Sequence, residues 1–270
     1  MDIDFHAHFD SGDPELVRKF VENCEKNNCR AAMSGGLHYG AHDYLPNDQV
    51  IDFCNQYKDV LIPMVKLDLW DKEVDLGELR RLADRGAKGV KCIYPYYAYD
   101  HDLYMPFYEE CEKLGLPVLF HTGNFRPSEE DKISRRPILT NMDPVKIDRP
   151  ARAFQNLKIV IAHLGTTFWR KQAAELTKMH ANVYTDLAGC GSWQALSAED
   201  LMELFRPPIF LCKDFVKYFR KLVFGSDCYV SIPGVQTRGK LHYEQIISKL
   251  GLPEDARNDI MGGTVASWFK

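Results

Sequence analysis

The chain has 270 residues, of which 45% are hydrophobic; this is enough apolar material for a substantial core and excludes an intrinsically disordered protein. Its 34 basic and 38 acidic side chains leave a formal net charge of −4 without a long run of either sign, so no nucleic acid is expected as a partner. The longest apolar runs, such as residues 60–65, fall far short of the roughly 20 residues that cross a bilayer. We therefore expect a soluble protein with no membrane partner.

The N terminus and the cysteines both predict a cytoplasmic protein. The first six residues contain neither the basic region nor the apolar segment of an export signal. The eight cysteines are scattered, form no Cys-x-x-Cys pair, and are too few for a disulfide scaffold. We expect reduced and mostly buried thiols.

Eight short apolar or β-branched runs recur along the chain, 24 to 41 residues apart. This spacing is close to the roughly 30 residues of a strand, a crossover helix and the return to a parallel strand. The runs begin near Ile3, Ala31, Leu61, Lys88, Pro117, Lys158, Asn182 and Lys221. By itself the alternation predicts either a (β/α)8 barrel or a doubly wound open sheet, and no composition break divides residues 1–270 into two domains.

Helical patterns lie between these runs. In the first, Asp13 is a suitable N-cap and apolar residues fall on one face of residues 14–28. The other patterns cover residues 76–85, 103–114, 144–155, 169–179, 214–220 and 243–250. Two stretches, residues 123–141 and 189–208, are longer than a connection needs, and we expect them to be functional loops.

Histidines and one carboxylate stand at the carboxyl ends of four of the eight predicted strands. The first strand ends in the His6-x-His8 pair, the fifth in His121, the sixth in His163 and the eighth in Asp227. His6 and His8 project from the same side of a strand. In a closed barrel these strand ends meet at one mouth, where burial of so many polar groups would be costly unless a cation or a dense hydrogen-bond network satisfied them.

A divalent metal is the expected solution at this mouth. Imidazole and carboxylate ligands favour Zn²⁺, with Mn²⁺ or Fe²⁺ as alternatives. The set contains no cysteine, which argues against a structural zinc site and favours a catalytic one.

These residues, in this order at these strand ends, resemble the amidohydrolase superfamily of metal-dependent (β/α)8 barrels. The most similar subgroup is the amidohydrolase-related one, which includes the aminocarboxymuconate-semialdehyde and resorcylate decarboxylases. The resemblance covers nearly the whole chain and extends to residues 89–91 (GVK), 143–148 (DPVKID), 156–165 (NLKIVIAHLG), 183–186 (VYTD) and 260–266 (IMGGTVA). It implies a single TIM barrel with the catalytic metal site at the C-terminal ends of the strands.

The resemblance implies a role for each polar residue at the mouth. His6, His8, His121 and Asp227 would bind one metal, and Asp227 would also accept and return a proton during catalysis. His163 would either bind a second metal or, as we favour, polarise the substrate carbonyl beside a single metal. These roles make Asp227 and His163 the expected catalytic residues.

The number of metals depends on Lys91 in the fourth predicted strand. Lys91 could be carbamylated and bridge two metals together with His163, as a lysine does in the binuclear members. It could instead be a barrel lysine that neutralises Asp227 or a substrate carboxylate. One metal is favoured, and two are left open.

Each of these residues also has a structural interpretation. His6 and His8 could face solvent on an N-terminal strand, His121 could be a core histidine bonded to backbone, and Asp227 could cap a helix or a turn. The metal interpretation is preferred because all of these residues occupy strand ends that a barrel brings together.

Substrate recognition is predicted from two kinds of residue. Arg126, on the long loop after His121, and the Arg135-Arg136 pair could bind an anionic substrate, since a guanidinium matches a carboxylate bidentately. Tyr94 and Trp193, which follow the fourth and seventh strands, could form walls of the pocket. The alternatives are solvated loop charges for the arginines and ordinary packing for the aromatic residues.

We expect a metal-dependent hydrolase that cleaves a C–N or C–O acyl bond in a small polar or anionic substrate. A bound metal lowers the pKa of water from 15.7 to about 7, which makes hydroxide available at neutral pH. The alternative reaction is non-oxidative decarboxylation of a small unsaturated or aromatic acid, and a third hypothesis is a barrel that binds a ligand without turnover. The expected partner is a small-molecule substrate; the oligomeric state is left open, a homodimer included.

Overall fold

A computed structural model describes residues 1–36, 38–39, 42–70, 73–124, 137–192, 194–206 and 215–269, with only the backbone at 38–39 and 42–43. The strands in these ranges are β1 (Asp2–His8), β2 (Cys29–Ser34), β3 (His38–Tyr39), β4 (His42–Asp43), β5 (Leu61–Met64), β6 (Val90–Cys92), β7 (Val118–Phe120), β8 (Ile159–Ile161), β9 (Val183–Asp186), β10 (Leu222–Val223) and β11 (Cys228–Tyr229).

Helices cover most of the segments between the parallel strands. They are α1 (Pro14–Lys26), α2 (Asn47–Gln56), α3 (Leu76–Asp84), α4 (Met105–Leu114), α5 (Asp148–Ala153), α6 (Thr166–Met179), α7 (Ala198–Phe205), α8 (Val216–Phe219), α9 (Gly234–Lys249), α10 (Glu254–Asn258) and α11 (Thr264–Ala266). In the part of the chain that the structure describes, none of these helices combines the length and the apolar character of a membrane span.

All eight predicted strands are present, and they are neighbours in chain order. Strands β1, β2 and β5 pair in parallel, as do β6 through β10. A parallel bridge between Val65 and Val90 joins β5 to β6. The amide of Phe5 in β1 donates to the carbonyl oxygen of Phe224, just after β10, at 2.8 Å and so joins the last strand to the first. This order confirms the predicted barrel, because a doubly wound sheet reverses its strand order at a switch point.

The strand register decides which side chains point into the barrel. Lys91 of β6 is opposite Leu119 of β7, which is opposite Val160 of β8. Leu119 and Val160 belong to a buried apolar cluster to which β1, β2, β5 and β10 also contribute. Because side chains at paired positions project to the same face of a sheet, Lys91 also points inward, and only 1% of it is exposed.

Each expected helical pattern contains a helix, some with shifted ends, and four helices, α2, α7, α10 and α11, were not expected. The pattern at residues 144–155 begins as a 3-10 turn before α5, and α9 begins nine residues earlier than expected. Helix α2 was not predicted, and α7 lies inside residues 189–208, which were expected to form a loop. A capping box at Ser197 and Asp200 starts α7, and these two residues are the signal that the loop interpretation overlooked.

Candidate metal centre

The barrel mouth holds a cavity of about 530 Å³. Its lining includes all the predicted metal ligands and both predicted catalytic residues: His6, His8, His121, His163 and Asp227, together with Lys91. The parallel strands bring these side chains together because their carboxyl ends open on the same rim of the barrel. The polar residues at the strand ends, far apart in the sequence, therefore share one site.

Four of the cavity residues have a left-handed backbone although none of them is glycine. They are Tyr94 (φ 52°), His163 (φ 62°), Thr166 (φ 54°) and Asp227 (φ 62°). Such conformations cost about 1 kcal/mol or more for residues with a Cβ and persist where the surrounding structure holds them. At His163 the holding contact is a 2.6 Å hydrogen bond from its amide to Asp186 Oδ1.

The imidazole of His6 presents an unprotonated nitrogen to the cavity. Its Nδ1 lies 2.9 Å from Oδ2 of Asp186, a carboxylate that can only accept, so Nδ1 carries the proton. The other nitrogen, Nε2, lies 3.4 Å from Oδ1 of Asp227 and 2.6 Å from Nζ of Lys91. His6 is therefore oriented as a metal ligand whose lone pair faces the centre of the site.

His8 has a polar neighbour at each ring nitrogen. Nδ1 of His8 lies 3.2 Å from the hydroxyl of Ser34, which can donate to the carbonyl oxygen of Ala7 at 3.1 Å. Nε2 of His8 lies 3.0 Å from Oδ1 of Asp227 and belongs to the same group of ligand-type atoms as His6. Burial lowers the pKa of His8 well below its usual value, which keeps the ring neutral.

A cation fits between these groups. One ligand atom each from His6, His8 and Asp227 lies within 4.8 Å of the other two. Two imidazole nitrogens and a carboxylate oxygen lie together beside Nζ of Lys91, and this set of donor types suits a divalent cation. Contacts with His8 and His6 hold the pKa of Asp227 well below its usual range although burial acts to raise it, so this group is a carboxylate.

His121 and His163 form the next layer of the site. Nδ1 of His163 lies 3.2 Å from the carbonyl oxygen of Ala188 and so carries the proton; its Nε2 accepts from Nδ1 of His121 at 3.2 Å. Nε2 of His121 is then an unprotonated nitrogen, buried and without a hydrogen-bond partner among the described residues. An orphaned imidazole nitrogen in this cavity suits the predicted fourth ligand, although His121 lies outside the group of three.

Asp186, at the end of β9, is the main residue that the sequence reasoning missed. Its side chain is fully buried and accepts from Nδ1 of His6, from the amide of His163 and, at 3.0 Å, from the amide of Ala188. Burial acts to raise its pKa, but the neighbouring His6 and His163 hold it below the usual value. An aspartate at the carboxyl end of the seventh barrel strand was the available signal.

Asp186 also belongs to a second group of ligand-type residues, with His6 and His163. Both of its carboxylate oxygens already accept hydrogen bonds, and Nδ1 of His163 is bonded to backbone. These groups are therefore engaged in orienting His6 and His163, whereas the set of His6, His8 and Asp227 is open to a cation.

Two buried lysines stand close to the centre. Burial lowers the pKa of Lys91 to about 8. Lys66, which follows β5 and was not predicted as a site residue, has its Nζ buried without a hydrogen-bond partner among the described residues, 3.7 Å above the ring of Tyr44. Burial lowers its pKa well below the usual value. The carboxamide of Asn47 holds Lys66 in place through both its backbone amide and its carbonyl oxygen.

The predicted substrate-binding residues are only partly within the described structure. Tyr94 lines the cavity, with its ring centroid 6.2 Å from that of His121. Arg126, the Arg135-Arg136 pair and Trp193 lie outside the described residues. The lining also includes Tyr44, Gln194 and Tyr229, which were not predicted as site residues.

A comparison with family models agrees with this site. The model described as "Amidohydrolase" matches residues 3–270. The chain belongs to the amidohydrolase family. Its members are metal-dependent enzymes, and this amidohydrolase has the donor groups that a metal requires. No curated protein matches the sequence significantly.

Solved structures share the fold of this amidohydrolase at low sequence identity. An uncharacterised TIM-barrel protein from Bordetella bronchiseptica matches with a TM-score of 0.68 and 17% identity, over 99% of this chain and 97% of that one. A probable 2-pyrone-4,6-dicarboxylic acid hydrolase from Acinetobacter baumannii matches at 0.63 and 15%, over 99% and 98%. A 2,6-dihydroxybenzoate decarboxylase from Rhizobium matches at 0.64 and 15%, also over 99% and 98%. Because hydrolases and decarboxylases share this fold, similarity alone does not choose the reaction.

Proposed function

We propose that this amidohydrolase is a hydrolase with one zinc ion that cleaves a C–N or C–O acyl bond of a small polar or anionic substrate. The observation that carries the proposal is the position of Asp227. Its carboxylate lies 3.0 Å from Nε2 of His8 and 3.4 Å from Nε2 of His6, on the wall of the cavity. A carboxylate beside the metal ligands can reach the water that hydrolysis must deprotonate.

His6, His8 and Asp227 would hold the metal, with Nε2 of His121 as the fourth donor. A divalent metal supplies, when bound, a water that ionises near neutral pH. One ion is favoured because the second group is already engaged: Asp186 and His163 use their polar atoms to orient each other and His6. In this arrangement Lys91 remains an amine that lines the cavity.

Asp227 transfers protons in the proposed reaction, and Lys91 stabilises negative charge. Asp227, a carboxylate at neutral pH, accepts a proton from the attacking water and returns it to the leaving nitrogen or oxygen. Burial lowers the pKa of Lys91 to about 8, and its Nζ lines the cavity, where it could stabilise a developing oxyanion.

His163 takes a narrower role than the sequence suggested. Burial lowers its pKa to about 4, and its Nδ1 proton is committed to the carbonyl oxygen of Ala188. In this neutral tautomer Nε2 is an acceptor, so polarising a substrate carbonyl would require a second proton on the ring. We propose instead that His163 orients His121 through its Nε2.

Replacement of Asp227 by asparagine tests the proposal. Asp227→Asn keeps the size of the side chain and a donor oxygen, so we expect a folded protein that retains some metal and loses at least about 100-fold in turnover. Metal content is measured by elemental analysis, and folding by circular dichroism. A panel of small amides, esters and lactones is followed in a pH-stat, and undiminished turnover by Asp227→Asn would refute the role of Asp227.

Decarboxylation is the second candidate, and the two buried lysines favour it. Lys91 and Lys66 place two amines in and beside the cavity, and the amine of Lys91, whose pKa is about 8, could attract the carboxylate of an unsaturated or aromatic acid. No arginine lines the cavity within the described ranges, and the predicted arginines lie outside them. Measurement of released CO₂ against released amine or alcohol separates the two reactions.

A further inference from the structure

The side-chain amide of Gln194 is a polar group for which the protein provides no partner. Gln194 lies between β9 and α7, only 2% of it is exposed, and it lines the cavity that holds the candidate metal ligands. Neither its Oε1 nor its Nε2 has a hydrogen-bond partner among the described residues. A buried amide without partners is costly, so its presence requires an explanation.

The backbone around Gln194 is well satisfied, which rules out a poorly packed segment as the explanation. The amide of Gln194 donates to the carbonyl oxygen of Gly189 at 2.8 Å, and the carbonyl oxygen of Ala195 accepts from the guanidinium of Arg170 at 2.6 Å. Another buried glutamine of this fold, Gln236, bonds through its side chain to Asn23 and Asp4. Gln194 therefore combines a hydrogen-bonded backbone with a side chain that has no partner among the described residues.

A stack of aromatic rings forms part of the wall of the same cavity. The rings of Tyr44 and Tyr229 are nearly parallel, with centroids 6.4 Å apart, and Tyr229 stacks on His8 with centroids 5.0 Å apart. All three residues line the cavity. Such a wall suits a planar ring, whose edge would carry the groups that hydrogen-bond.

We propose that Gln194 determines specificity by pairing with an N–H and a C=O that are adjacent on a planar substrate ring, as in a lactam or an imide. The carboxamide offers one donor and one acceptor side by side, so such an edge satisfies both of them. A lactone offers acceptors only and leaves Oε1 of Gln194 unpaired. The proposal rests on the proposed function, since it names the substrate class of the same cavity.

The test compares two ring compounds that differ in one atom. 2-Pyridone carries an N–H beside its C=O, and 2-pyrone has a ring oxygen in its place. Their binding to the purified, zinc-loaded protein is measured by ligand-observed NMR titration, which needs no turnover. We expect the wild type to bind 2-pyridone at least about tenfold more tightly than 2-pyrone, and Gln194→Met to bind both equally.

Stability provides a second readout. Gln194→Met removes no hydrogen bond within the described structure, so its melting temperature should equal or exceed that of the wild type. Gln172→Met, on the exposed face of α6, is the matched control and should keep the preference for 2-pyridone. Three results would overturn the proposal: a preference that survives in Gln194→Met, a wild type that binds neither compound or prefers 2-pyrone, or a lower melting temperature in Gln194→Met. None of these results depends on whether the enzyme hydrolyses a substrate.

Discussion

The carboxylate of Asp186 sets the position of the proton on His6, and replacement by asparagine tests that role. Asp186 accepts from Nδ1 of His6 at 2.9 Å and from the amides of His163 and Ala188 at 2.6 and 3.0 Å. In Asp186→Asn the remaining side-chain oxygen can still accept from the two amides. Its NH₂ group then faces Nδ1 of His6, which must become an acceptor, so the ring proton moves to Nε2.

The expected magnitude follows from the lost lone pair. A His6 that is protonated at Nε2 cannot bind a metal until the proton moves back, and changes in such supporting hydrogen bonds lower metal affinity about 10- to 100-fold. This range corresponds to about 1.4 to 2.7 kcal/mol. The fold should be retained, because both backbone hydrogen bonds keep an acceptor.

The assay is a zinc titration of the metal-free protein in competition with a chromophoric chelator at pH 7. Asp148→Asn is the matched control, since Asp148 accepts from Nε2 of His180 at 2.8 Å on the outer surface, away from the metal site. We expect Asp148→Asn to bind zinc like the wild type. Wild-type affinity in Asp186→Asn, or an equal loss in both variants, would refute the reasoning.

Two further predictions concern buried charges. Burial raises the pKa of Asp4 to about 6 despite hydrogen bonds from Ser226 and His6, so the folded chain takes up this proton before the unfolded chain does as the pH falls. Between pH 8 and pH 5 the wild type should therefore gain about 1 kcal/mol of unfolding free energy relative to Asp4→Asn, and a constant difference in urea titrations would contradict this. Lys66→Met removes an unpaired buried amine and should raise stability at pH 7 by about 1 kcal/mol or more. This gain should shrink toward pH 10.5, where the unfolded lysine also loses its proton, and a less stable variant would show that Lys66 has a partner in the folded chain.

Local patterns in the sequence were sufficient to predict the barrel strands and most of the helices. Apolar runs with intervening helical periodicity mark all eight strands, because burial on a strand or helix repeats within a few residues. Helix α2 has apolar residues at helical spacing, Val50, Ile51 and Cys54, but no side-chain N-cap, and it was missed. The start of α7 was missed although its capping box is visible in the sequence at Ser197 and Asp200.

The sequence by itself determined eight strands alternating with helices and the polar residues at the strand ends, while the family resemblance favoured a barrel over a doubly wound sheet. Five polar residues could be selected because each lies at the end of an apolar strand, where burial of a polar side chain is costly unless it has a partner. They are His6, His8, His121, His163 and Asp227. The family similarity added their expected roles, which the geometry of His6, His8 and Asp227 supports. The tautomers and charges of these residues, however, could not be obtained from their positions in the chain.

Only the tertiary structure decided which groups orient the site and which are left without partners. Asp186 lies 180 residues from His6 in the sequence, and Lys66 and Gln194 look like ordinary polar residues until their surroundings are known. The physical reason is that hydrogen-bond satisfaction and desolvation depend on all neighbours in space, whereas sequence periodicity reports only on neighbours along the chain. Barrel closure makes those distant residues neighbours, and it thereby sets the protonation of His6, the carboxylate form of Asp227 and the unpaired amide of Gln194.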